Sequence, residues 1–186
     1  MEDRCRTRAS FVAVELTLAD GTRLALRPID AGDRDRLSAL FARLSPESRQ
    51  RRFFSPKHEL TPRELAFLTD IDHVDHEAFA AVDRRDGSIV GAGRYVRRRD
   101  RDAAADLALE VADELQNLGI GTALAGRVVQ RASENGFALL TATTLWENRP
   151  ARALLRRLGF HARGSRGTEI ELELPLDPVG DRLGRA

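Results

Sequence analysis

Cysteine, tyrosine, tryptophan and lysine each occur once in 186 residues, and no apolar run is long. The lone Cys5 excludes an internal disulfide framework and is compatible with a reducing cytoplasm, the compartment we expect. The stretch FVAVELTLA at 11–19 is broken by Glu15 and is far shorter than a bilayer span, so no membrane partner is expected. Neither sign of charge dominates. Lys+Arg 30 against Asp+Glu 29 leaves a net charge of +1, which removes the electrostatic footing of nucleic-acid binding. Lys57 is the sole lysine, so the basic surface is built from arginine.

With 42% hydrophobic residues, the chain fits one domain around a single core. The expected domain is 11–175, with polar, loose ends at 1–10 and 176–186. FVAVELTL and TRLALRPI flank Asp20 and Gly21 as a hairpin. Leu37, Leu40, Phe41 and Leu44 mark one face of a helix, which Ser45 and Pro46 end while opening a further helical turn. Thr61, Pro62 and Glu64 form a capping-box signature for another short helix. EAFAAVD and SIVGAGRYVR then read as paired strands, followed by a strand at about 105–111. Helix 120–135, strand 137–145, helix 150–158 and the strand TEIELEL complete a mixed α/β layer arrangement.

The segment QNLGIG at 116–121 runs from a strand into the helix Ile120–Asn135. Gly119 and Gly121 omit Cβ atoms where backbone would approach a ligand, and the helix start offers unpaired N–H groups and a positive dipole end. Such a site suits a pyrophosphate. Downstream, ENRPARALLRRLGF at 147–160 places Ala151, Leu154, Leu155 and Leu158 on one helical stripe. Pro150 suits the first helical position, which leaves the Asn148 side chain just outside the first turn and able to reach a ligand.

Together these segments resemble the GNAT superfamily of acyl-CoA-dependent N-acetyltransferases. QNLGIG is similar to its (Q/R)xxGx(G/A) pyrophosphate loop; Asn148, Ala151, Leu154, Gly159 and Phe160 fit its NxxAxxLYxxxGF helix. The resemblance covers about residues 24–175. It implies the GNAT fold, a mixed and mostly antiparallel twisted sheet of six to seven strands flanked by four to five helices. LSPESRQRRFFSP at 44–56 and DIDHVDHEAFAAV at 70–82 resemble more narrowly the GNAT domain of Pat-type protein lysine acetyltransferases. Acetyl-CoA is then the implied co-substrate. The resemblance places it against Leu109, Val111, Gln116, Leu118, Gly119, Ile120, Gly121 and Thr122 along the strand and loop, and against Asn148, Ala151 and Leu155 on the later helix. The implied acceptor is a protein lysine, with a small amine as the alternative, on a monomer or homodimer. A non-catalytic acetyl-CoA-sensing module is the alternative from another class.

A lysine amine with a pKa of about 10.4 is neutral in only roughly one molecule in two thousand at pH 7, so a base is needed. Asp106 and Glu110, both on the same face of the strand, are the candidates. In Pat-like proteins a Glu ten residues before the Gln resembles the base, and that position here is Asp106. Leu155 stands where many family members have a Tyr that resembles a proton donor to the leaving thiolate; leucine donates none. Tyr95 is a conceivable substitute, although a strand tyrosine is usually packing. The resemblance also implies a strand end, at Val111, that splays from its neighbour and exposes backbone groups to the thioester.

Other clusters read as structure first. His73 and His76 with Asp70, Asp72 and Asp75 contain metal-type donors, but a helix-to-strand loop is naturally rich in such residues, and no metal is expected. Arg49, Arg51, Arg52, Phe53 and Phe54 read as a helix end with apolar packing. Arg97, Arg98, Arg99 and Arg101 read as a solvated loop able to steer acidic substrates.

Overall fold

The computed structural model describes residues 13–177. Cys5, the tail expected at 1–10 and nearly all of that expected at 176–186 lie outside this range. The strands are β1 (Val14–Thr17), β2 (Arg23–Pro28), β3 (His76–Asp83), β4 (Ile89–Arg97), β5 (Ala104–Val111), β6 (Leu139–Leu145), β7 (His161–Arg166) and β8 (Glu169–Pro175). The α-helices are α1 (Arg34–Ala42), α2 (Pro46–Phe53), α3 (Pro62–Thr69), α4 (Ile120–Glu134) and α5 (Arg149–Arg157). All strands form one sheet in the order β1-β2-β3-β4-β5-β6-β8-β7. Every neighbouring pair is antiparallel except β5 with β6.

The eighth strand corrects the expected six to seven. β7 reads HARGSR, every residue of it is exposed, and its register slips between Ala162 and Gly164. An edge strand with no buried face has no apolar alternation to reveal it. β6 starts at Leu139 rather than at Phe137, whose ring is instead buried in the core.

The helix starts follow local chemistry. Ser45 accepts from Ser48 N–H at the head of α2, and Thr61 and Glu64 complete a reciprocal capping box on α3. Each face of the sheet carries a core. On one face Leu107 and Val111 of β5 pack with Leu124 and Val128 of α4 and Leu155 of α5. On the other, Ala80 and Ala92 meet Leu37 and Leu40 of α1 and Leu68 of α3. Gly91 permits the close approach of α4: a Cβ there would lie 3.1 Å from Leu124 Cδ1 and 3.2 Å from the Glu110 carbonyl. The sheet thereby holds the first turn of α4 directly against β4 and β5.

Candidate active site

The sheet forks between β5 and β6. Pairing covers only Ala104–Asp106 against Leu139–Thr141, although both strands continue well beyond it. Arg98 N–H donates to the Ala104 carbonyl at 2.8 Å, and Ala112 N–H to the Val90 carbonyl at 2.9 Å. These bonds commit the even-numbered residues of β5 to β4, so strand alternation turns the backbone groups of Leu107, Leu109 and Val111 towards β6. β6 has by then departed. Gln116 Nε2 takes up the Val111 carbonyl at 3.2 Å, which leaves the N–H groups of Leu109 and Val111 facing the gap. A cavity of about 1090 Å³ occupies this fork, walled by α2, α4 and α5.

At one end of the cavity stands the start of α4. Gly119 has φ +92° and Asn117 has φ +63°, a loop in which two residues take left-handed geometry. No side chain caps the helix and no acidic residue occupies its first turn. The first bond inside α4 is Ala123 N–H to the Gly119 carbonyl at 3.0 Å, so the N–H groups of Ile120, Gly121 and Thr122 have no helical acceptor. Gly119, Gly121 and Thr122 line the cavity, and a Cβ on Gly119 would meet nothing within 4 Å. Three free donors and a bare positive dipole end beside open space fit a diphosphate.

Asn148 caps α5, its Oδ1 accepting from Ala151 N–H at 3.2 Å, while its amide NH₂ remains available to the cavity that it and Ala151 line. Leu155 also lines the cavity, with its side chain in the core at 4% exposure. The Leu118 side chain is exposed away from the cavity and that of Ile120 is buried in the core, so only their backbone could serve a ligand there. Gln116 Nε2 is engaged internally by Val111, by Asp113 at 2.9 Å and by Ser48 at 3.4 Å. Its role in this structure is to tie the loop to β5 and α2.

The two carboxylates differ in setting. Asp106 sits at the crotch of the fork, facing Thr141 in register; Thr141 Oγ1 donates a short hydrogen bond to it, and Arg98 Nη1 lies 3.3 Å away. Its side chain is 57% exposed. Glu110 is 10% exposed and held by Arg52 Nε at 2.5 Å. Beneath them Arg94 is 2% exposed; its Nη1 reaches the Leu68 carbonyl at 3.0 Å, while Nε and Nη2 find no protein partner. Burial pushes its pKa down to about 10.

Tyr95 is no proton donor to this cavity. It is fully buried on the α4 side of the sheet, packs edge-on against Phe137, donates to the Val74 carbonyl at 3.0 Å and accepts from Asn135. Burial raises its pKa further from the working range. His73 bonds Glu77 at 2.8 Å, and His76 lies 3.2 Å from Arg94. Among the described residues, no group of three or more His, Cys, Asp or Glu side chains is placed to hold a metal. The ion-pair partners Arg52 and Arg98 were missed as site residues: Arg52 reaches Glu110 across 58 positions, Arg98 reaches Asp106 across the β4–β5 turn, and periodicity carries no trace of either.

Residues 41–160 match the acetyltransferase (GNAT) family. The chain belongs to this family. It is therefore an acetyl-CoA-dependent acetyltransferase, and its mixed, mostly antiparallel sheet flanked by helices is the GNAT fold. An acetyltransferase of Pseudomonas aeruginosa is 33% identical over 159 residues, covering 82% of this chain and 85% of the relative. The acetyltransferase Pat of Mycolicibacterium smegmatis is 29% identical over 95% of this chain, which spans only 54% of that protein. Among solved structures, the GNAT domain of S. lividans PAT superposes with a TM-score of 0.81 at 26% identity, covering 88% of this chain and 97% of that domain. The cAMP-binding acyltransferase from Mycobacterium smegmatis gives a TM-score of 0.63 at 26% identity, with the present enzyme covering 48% of it.

Proposed function

We propose that the enzyme transfers acetyl from acetyl-CoA to the amine of a protein lysine by direct attack, with Asp106 as the base. The observation that carries the choice of base is the contrast between the carboxylates: Asp106 is open to the cavity at the fork, whereas Glu110 is enclosed with Arg52. Likeness to the GNAT domains of Pat proteins supports the protein acceptor, and a cytoplasmic setting goes with it.

In this reading Gly119, Gly121 and Thr122 hold the diphosphate through backbone N–H groups, and Asn148 meets the pantetheine arm. The N–H groups of Leu109 and Val111 face the thioester and stabilise the oxyanion as the carbonyl becomes tetrahedral. Asp106 accepts the amine proton directly or through a water while the new C–N bond forms. Collapse breaks the C–S bond and expels the CoA thiolate; with a thiol pKa of about 8.5, it takes its proton from water without a side-chain donor at Leu155.

The test follows CoA thiol release from acetyl-CoA with a protein extract and, separately, with polyamines and aminoglycosides. Release above the hydrolysis blank with the extract, accompanied by acetyl-lysine in its proteins, is the expected result. Release with small amines alone would transfer the assignment to a small-molecule N-acetyltransferase.

A further inference from the structure

The two sides of the cavity differ in how charge is supplied, although α5 also contributes Arg157 to the lining. The diphosphate cradle at the start of α4 is made of backbone on the side of the sheet covered by α4 and α5. On the opposite side, where Asp106 and Glu110 project, the wall carries Arg51 and Arg52 from α2 and Arg98 and Arg99 from the end of β4, whereas Arg97 alternates to the α4 side and lies over the Phe137 ring. Arg52 is neutralised by Glu110 at 2.5 Å and Arg97 by Asp75 at 2.7 Å. Arg98 is shared among Asp100 at 2.7 Å, Asp106 at 3.3 Å and Glu171 at 3.3 Å.

Arg51 and Arg99 are different. Both line the cavity, neither has an ion-pair or hydrogen-bond partner among the described residues, and Nε of Arg51 is buried without an acceptor. Beside them Phe54 projects from the end of α2 at 41% exposure, held in left-handed geometry at φ +55°. For a phenylalanine that backbone is strained and persists only where its surroundings impose it. The wall facing the candidate base thus presents two guanidinium groups outside any close ion pair, Arg51 with only the longer-range charge of Asp113 near it, and an apolar ring.

We propose that this wall selects the acceptor by charge: the target lysine lies in an acidic peptide segment whose carboxylates meet Arg51 and Arg99 while its chain passes Phe54. This rests on the protein-lysine reading above. Carboxylates flanking the amine find forked, always-charged donors in a partly desolvated cavity. A lysine-rich tail or a polyamine brings like charge to the same place and is disfavoured.

Three peptides with one lysine each, flanked by Glu, Gln or Arg, separate the possibilities when CoA release is measured with the whole enzyme at low and high salt. The Glu-flanked peptide is expected to exceed the Arg-flanked one by roughly tenfold in kcat/KM, through KM, with the difference shrinking as salt rises. Arg99→Gln should erode that preference and Arg99→Glu invert it. Equal rates on the three peptides, or a preference untouched by changes at Arg51 and Arg99, would overturn the proposal. Arg51 adjoins Ser48, which contacts the phosphate loop through Gln116. If Arg51→Gln raises KM for acetyl-CoA and leaves acceptor KM alone, Arg51 serves the co-substrate and its place in the proposal falls. If no peptide reacts but small amines do, the protein-lysine reading has failed; the charge inference is then decided by glutamate against spermidine, and preference for spermidine overturns it.

Discussion

Arg52 Nε lies 2.5 Å from Glu110 Oε2, with the two side chains only 15% and 10% exposed. This contact ties α2 to β5 and occupies the carboxylate that is the alternative to Asp106 as candidate base. Removing one member of an enclosed pair leaves the other charge uncompensated, so Glu110 is expected to matter first for stability.

Asp106→Asn should lower kcat by about 10²–10⁴-fold, the usual range for losing a general base, while acetyl-CoA binding measured by calorimetry persists. Glu110→Gln should lower the thermal midpoint and retain substantially more turnover than Asp106→Asn. The reverse order of turnover would make Glu110 the base.

Gly119→Ala tests the cradle. No atom lies within 4 Å of the new methyl group, so the cost is conformational: φ +92° is expensive for any residue with a Cβ, by roughly 1 kcal/mol or more. The loop should relax to another geometry and misdirect its N–H groups. The expected result is a several-fold rise in KM for acetyl-CoA with a small loss of stability, read by steady-state kinetics and thermal unfolding.

Gly91→Ala tests the support beneath that cradle by a different mechanism. Here φ is ordinary and space is the constraint, with contacts at 3.1 Å to Leu124, 3.2 Å to the Glu110 carbonyl and 3.3 Å to Ile120. Pushing α4 off β4 should cost about 1–3 kcal/mol, measured by urea unfolding. Because Ile120 begins α4, acetyl-CoA binding should weaken as well.

Stability should peak near neutral pH. Burial, and then the Arg94 charge, depress the pKa of His76 to about 4, so between pH 4 and its ordinary value the unfolded chain binds the extra proton. Stability from this group is complete above about pH 6.5 and is lost as pH falls towards 4, by about 2 kcal/mol after allowing for partial solvent access. His73 has the opposite sign. Its hydrogen bond to Glu77 raises its pKa, so its contribution is present below the ordinary histidine value and fades as pH rises through the folded one. Urea unfolding from pH 4.5 to 8.5 reads both limbs, and His76→Gln should flatten the acid limb.

The legible parts of this protein were those governed by local rules. Gly119 and Gly121 announced a strand-to-helix turn, Pro150 announced the start of a helix, and Thr61 with Glu64 announced a capping box, whereas the cap that Asn148 Oδ1 makes on Ala151 N–H was not foreseen. Buried faces left a period of two along β5 and about 3.6 along α4, so the helices and most strands could be read in order. β7 left neither period because it buries nothing.

The sequence by itself determined the element order, the helix-borne cradle and the pair of carboxylates on one strand face, because propensity, capping and burial act over short stretches of chain. Only the tertiary structure decided how the carboxylates differ. Arg52 reaches Glu110 across 58 positions and Arg98 reaches Thr141 across 43, contacts that exist only once α2 and β6 are laid beside β5. Charge pairing through space then assigned Glu110 to an enclosed ion pair, left Asp106 more exposed beside Arg98, and left Arg51 and Arg99 on the cavity wall without a close ion pair; none of these distinctions has a local signature in the chain.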